Sequence, residues 1–126
     1  MKRIESDLIG SLEVPGEALY GVQTLRGIEN FPISCFHLSD YPLFINGLAV
    51  TKLGAARANY QLGLLTEEQF KAISQACEEI LAGQHHDQFP VDMIQGGAGT
   101  TTNMNANEVI ANRALDLMGH QRGEFQ

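Results

Sequence analysis

Apolar residues recur at helical spacing along most of this chain, and glycines and prolines break the pattern into segments. Phe70, Ile73, Cys77, Ile80 and Leu81 lie on one face behind Thr66-Glu67-Glu68-Gln69, which has the form of a capping box. This predicts a helix from Thr66 to about Ala82, stopped by Gly83. Val109, Ile110, Ala114, Leu115 and Met118 mark a second inward stripe ending at Gly119. Its start is expected between Asn103 and Asn107, with Asn105 and Glu108 as a box-like pair. A third helix is expected from Pro42 to about Leu62, capped by Asp40, with Leu43, Phe44, Leu48, Leu53, Ala56 and Tyr60 on its buried face. Gly47, Gly54 and the neighbouring alanines suggest close helix–helix contact there. A shorter helix from Glu17 to about Asn30 carries Leu19, Val22, Leu25, Ile28 and Phe31, before Pro32 ends it. The remainder of the first forty residues reads as irregular or extended around Gly10, Pro15 and Gly16. The fold class is mainly α, with irregular or short extended N-terminal segments.

Length and charge narrow the function. The 126 residues make one domain, or a piece of one. With 15 acidic against 8 basic residues and a net charge of −7, the chain lacks the clustered cations that nucleic acid binding needs. No apolar run approaches a membrane span, and the charged N-terminus has no signal-peptide core, so a cytoplasmic protein is expected. Cys35 and Cys77 lie far apart and form no CxxC pair, which reads as two reduced thiols.

Between these helices lies Gly96-Gly97-Ala98-Gly99, followed by Thr100, Thr101 and Thr102. Small residues let the backbone approach a ligand, and the N–H groups opening the next helix favour negative charge. The threonine hydroxyls add donors. This describes a cradle for carboxylate or phosphate, and equally a tight turn into a buried helix. No lysine follows the glycines as in a P-loop, and no alternating strand–helix pattern surrounds them as in a dinucleotide fold. His85-His86-Asp87 lacks a second ligand pair and reads as a solvated loop. Lys52, Arg57 and Arg113 read as solvated or ion-paired helix residues.

The stretch VDMIQGGAGTTTNMNANEVIANRALDLMGHQRGEFQ resembles the first signature region of the aspartase/fumarase superfamily, a G-[SA]-G-T turn followed by NMN-x-NEV-x-AN. DLIGSLEVPGEALYGVQTLRGIENFPIS resembles the N-terminal segment of the same superfamily. The GGAGT form and the LMGHQRGEFQ ending are nearer to its ammonia-lyase branch than to its fumarases. The resemblance implies reversible removal of ammonia from L-aspartate to give fumarate, with no organic cofactor, and the spacing of His, Cys, Asp and Glu offers no metal ligand set in this chain. A base takes the Cβ proton, and a dianionic aci-carboxylate forms before ammonia leaves. Donors aimed at that carboxylate stabilise the transition state more than the ground state. By this resemblance Thr100 binds the carboxylate, Gly96, Gly97 and Gly99 shape its approach, Thr101 and Asn103 support it, and Arg26 matches a recurrent family arginine.

The resemblance also implies parts that this sequence lacks: a G-S-S-x-M-P-x-K-x-N loop bearing the general base, a Thr-His pair and a Ser-Thr-Asn region. Family active sites form where three subunits of a homotetramer meet. Residues 1–126 are therefore expected to be the N-terminal domain of a larger lyase, with no complete catalytic set and no activity alone. A class II fumarase and an inert helical binding module are the alternatives.

Overall fold

Lys2–Ser6 (β1) and Ser11–Pro15 (β2) pair as an antiparallel hairpin in the computed structural model, which describes residues 1–125. The register runs from Lys2 opposite Pro15 to Ser6 opposite Ser11, and the Asp7 carboxylate closes the turn by accepting from the Ile9 and Gly10 N–H groups. The extended segments expected here are therefore joined into a ribbon. Arg3 stitches the ribbon to residues 15–20, donating to the carbonyls of Pro15, Gly16, Ala18 and Tyr20 at 2.8–3.0 Å.

Helix α1 spans Val22–Asn30, five residues shorter at its start than the apolar spacing suggests. The reason is tertiary. Pro15, Gly16, Ala18 and Tyr20 give their carbonyls to Arg3, Leu19 N–H donates to Gln88, and Leu19 C=O accepts from Asn112. Those groups are committed elsewhere and cannot close a helical ladder.

Helix α2 spans Pro42–Gln61, with Pro42 in its first turn as expected. Its cap is Tyr41, whereas the Asp40 carboxylate accepts from His37 N–H and closes a preceding 3₁₀ turn. Its inward face also departs from expectation. Ile45, Ala49 and Ala56 are buried and Leu48 and Leu53 half-buried, while Leu43 is 85% exposed and Phe44 50%. A helix apolar nearly all round gives no unique stripe, and the row of small side chains won because it lets α3 and α4 come close. Gly47 and Gly54 fall on the open side, where a Cβ would meet nothing within 4 Å.

Helix α3, Glu67–Leu81, carries the expected reciprocal box: Thr66 Oγ1 accepts from Gln69 N–H, and Gln69 Oε1 accepts from Thr66 N–H. Cys77 is buried on it, and the lack of water there pushes its thiol up to about 11. Helix α4, Thr100–Leu117, lies against both α1 and α3. The core is shared among Leu38, Ile45, Cys77, Ile80, Phe89, Val91 and Val109. Loop segments thus supply core residues alongside α2, α3 and α4. No helix among the described residues is long and apolar enough to cross a membrane.

Candidate functional site

Helix α4 begins three residues before the earliest expected start, because its cap is Gly99 and not an asparagine. Gly99 holds φ +85°, a left-handed conformation that an L side chain resists. The three threonines are consequently the first helical turn itself. Asn105 and Glu108 do not cap α4: Asn105 donates to the Gln88 carbonyl, and Glu108 reaches across to the start of α1. The first ladder bond runs from Asn103 N–H to Gly99 C=O. Thr102 N–H donates to Gln95 Oε1 at 3.0 Å, while Gln95 Nε2 donates to Thr102 Oγ1 at 2.6 Å. The N–H groups of Thr100 and Thr101 have no acceptor among the described residues, nor does the Thr100 hydroxyl have a partner. Two backbone donors and a hydroxyl, at the positive end of an 18-residue helix, are thus without a partner among the described residues.

The loop leading into this turn is anchored from below by Asp92, which is 4% exposed. Its carboxylate accepts from Ile94 N–H at 2.8 Å, from Ser34 N–H and Oγ at 2.7 and 2.8 Å, and from Ile33 N–H. The Ile94 N–H, followed by the Ser34 donors, holds the carboxyl down to about 2, although burial works the other way. A depressed folded-state value means that this stabilisation is complete above the ordinary 3.8 and is lost as pH falls towards 2. Thermal midpoints recorded across that window are expected to fall steeply for the unmodified chain. They should fall less for Asp92→Asn, whose midpoint is already lower at neutral pH; parallel profiles would remove Asp92 from the acid limb.

Helix α1 forms the opposite wall. Gly27 allows the approach, since a Cβ there would lie 2.5 Å from Thr101 Cγ2. Thr101 therefore turns its methyl to α1 and contributes to the site through its backbone. Between the two helices opens a cleft of about 340 Å³ whose lining includes Arg26, Asn30, Phe31, Thr100, Thr101 and Met104. Arg26 and the threonines, 74 positions apart for Thr100, thus face one cavity from its two walls. The guanidinium is engaged: Nε and Nη2 donate to Asp7 at 2.9 Å, and Nη2 also to the Gly10 carbonyl. The facing Arg26 guanidinium holds Asp7 down to about 2. Arg26 Nη1 has no partner among the described residues.

Asn103 stands apart from this group. Its Oδ1 accepts from Lys52 Nζ of α2 at 2.5 Å, on the side of α4 away from Arg26. The predicted residues therefore divide into Thr100, Thr101 and Arg26 lining the cleft, Gly99 capping the helix that starts there, and Asn103 with Lys52 beside it. Sequence reasoning missed Gln95, Asp92 and Asp7. Only Asp7 carried a local signal, as the acidic residue of an Asp-x-x-Gly turn. Lys52, read as solvated or ion-paired, has no carboxylate partner among the described residues and instead orients Asn103. The histidines expected in a solvated loop are half-buried: His85 Nε2 meets Glu79 at 2.8 Å, and His86 Nε2 meets the Ile80 carbonyl at 2.9 Å. Arg113 also pairs with Glu79, at 2.7 Å.

Known proteins resemble this arrangement throughout its length. The family model for the lyases matches residues 10–125. The aspartate ammonia-lyase of Pseudomonas aeruginosa is 59% identical over 124 residues, which is 98% of this chain and 26% of that protein. That of Escherichia coli is 55% identical over 125 residues, with the same coverage. Among solved structures, the fumarate lyase:delta crystallin from Brucella melitensis superposes with a TM-score of 0.98 at 49% identity, covering 100% of this chain and 29% of that one. The class II fumarase from Schistosoma mansoni gives 0.90 at 37%, covering 98% and 26%. The chain thus spans about a quarter of the length of the relatives it matches.

Proposed function

The chain belongs to the lyase family, and from that premise we propose that residues 1–126 are the N-terminal domain of a longer aspartate ammonia-lyase. In this reading the first turn of α4 grips a carboxylate of L-aspartate. The observation that carries it is the unpartnered set at that turn: two backbone N–H groups and the Thr100 hydroxyl, facing the same cleft as a guanidinium. The elimination places extra charge on the carboxylate next to the carbon that loses its proton. Fixed donors at 2.7–3.1 Å from that oxygen position stabilise the charge without reorganising. Gly99 and the loop before it keep side chains out of the approach. Arg26, its charge largely met by Asp7, adds the N–H donors of Nη1. Asn103, oriented by Lys52, lies near enough to support the turn from its other side.

No general base is assigned within this chain. The acid–base and ammonia-releasing groups are proposed to come from the rest of the longer protein and from other subunits of a homotetramer in the cytoplasm. Exposed apolar side chains on α2, including Leu43, Phe44 and Val50, support the presence of further protein against that helix. The likeness to a class II fumarase favours one second reading, in which the same turn holds the carboxylate of malate while water is the leaving group. Offering the longer protein L-aspartate and L-malate separately, and following fumarate, decides between them. Aspartate is expected to react and malate not; preferential turnover of malate would overturn the ammonia-lyase assignment.

A further inference from the structure

Two carboxylates meet away from the cleft, where the hairpin, α1 and α4 converge. Glu5 on β1 is 6% exposed and Glu108 on α4 is 7% exposed. A Cβ on Gly21 would overlap both Glu5 Oε1 and Glu108 Oε2, so these two oxygens sit over the same bare Cα. Each carboxylate is otherwise employed on its far side. Glu5 Oε2 accepts from Arg3 Nε at 2.7 Å. Glu108 Oε1 accepts from Thr24 N–H and Oγ1, both at 2.7 Å, and Glu108 Oε2 takes only the longer 3.1 Å bond from Gln23 N–H. Glu5 Oε1 is buried with no hydrogen-bond partner at all.

We propose that Glu5 and Glu108 hold one proton between them, resident on Glu108 Oε2 and donated to Glu5 Oε1. One proton resolves two costs together. It supplies the donor that the buried Glu5 oxygen lacks, and it removes the repulsion of two negative charges in a place largely withdrawn from water. The proton belongs on Glu108 because Arg3, the only cation in the cluster among the described residues, lies on Glu5. The cations of the surrounding elements are committed elsewhere: Lys2 with Glu13 on the hairpin, Arg26 with Asp7 beside its turn, Arg113 of α4 with Glu79, and Arg122 with Asp116 and the Glu17 carbonyl. Burial, reinforced by the Glu5 charge, raises the Glu108 carboxyl above the ordinary glutamate range despite the Thr24 and Gln23 donors. The pair then acts as a clasp joining β1 to the N-terminus of α1 and to the middle of α4.

The pH dependence has the opposite sign to that of Asp92. A carboxyl whose folded-state value is raised contributes fully below its unfolded value and loses that contribution as pH rises through the folded one. Carbon-detected NMR titration of the side-chain carboxyls in the full chain tests the clasp directly. Glu108 is expected to titrate above the ordinary glutamate range. In Glu5→Gln the Glu108 titration should move down, since the negative neighbour is gone. Glu108→Gln should abolish the stability loss that the unmodified chain shows as pH rises through that titration. Titration of Glu108 at or below the ordinary range would overturn the proposal, and that measurement needs no variant to fold.

Discussion

Thr100→Val in the longer enzyme is expected to lower turnover of L-aspartate by roughly 10²–10³-fold, the effect of removing one donor from a developing oxyanion. The substitution keeps the shape at the Cβ branch and leaves the backbone N–H in place, so it isolates the hydroxyl. That hydroxyl has no partner among the described residues, and the residue itself is exposed at the rim of the cleft. Folding stability should therefore stay within about 0.5 kcal/mol, the usual range for a surface change that breaks no contact. If the hydroxyl acts chiefly on the transition state, kcat and kcat/KM fall together while KM holds. Thr102→Val is the internal control. Thr102 Oγ1 accepts from Gln95, so its loss should lower the melting temperature before it alters the chemistry. Unchanged turnover in Thr100→Val would take this hydroxyl out of the mechanism.

Phe89→Ala is expected to destabilise the chain by about 3–5 kcal/mol, the range for emptying a buried aromatic site. Phe89 is 1% exposed and is the largest of the fully buried side chains. It lies in a connector, but its carbonyl accepts from Ser39 N–H, and the adjoining Val91 carbonyl accepts from Leu38 N–H. The ring thereby joins the segment before α2 to the segment that leads into the glycine loop. Little can collapse into the space, because both backbones at that point are fixed by these bonds. A domain of this size has only about 5–15 kcal/mol to lose. A denaturant titration should show the midpoint displaced with an unchanged slope; a loss below about 1 kcal/mol would mean that the core closes over the gap.

Which elements could be read in advance depends on where their hydrogen bonds end. Helix α3 was legible because its cap is local: Thr66 and Gln69 satisfy each other three residues apart, and the apolar stripe comes directly after. The start of α4 was not, because β-branched threonines disfavour helix and the groups fixing it are remote from the pattern. Gly99 contributes only a backbone angle, and the donor at Thr102 is met by Gln95, seven positions upstream. The inward face of α2 was ambiguous because apolar residues surround the axis, and packing with α3 and α4 made the choice. For the candidate site, glycines followed by threonines suggested an anion and the family resemblance suggested which one. That Arg26 shares a cleft with Thr100, and that Asp7 occupies most of its guanidinium, is a product of tertiary folding. Asp92 could not be found from sequence, since its acceptor role depends on bringing residues 33–34 beside residue 94.

The cap of α1 bears on the order in which the chain acquires its shape. Nine residues are too few to hold a helix in water, where about 12–15 are needed even for favourable sequences. The donors at the start of α1 are met by Glu108, a residue synthesised more than eighty positions later. Until α4 has formed and docked, α1 has neither the length nor the cap to persist. One wall of the cleft should thus be the last part to order during folding and the first to open under native conditions. Amide hydrogen exchange would register this as fast exchange along Leu25–Asn30, against slow exchange in the middle of α4.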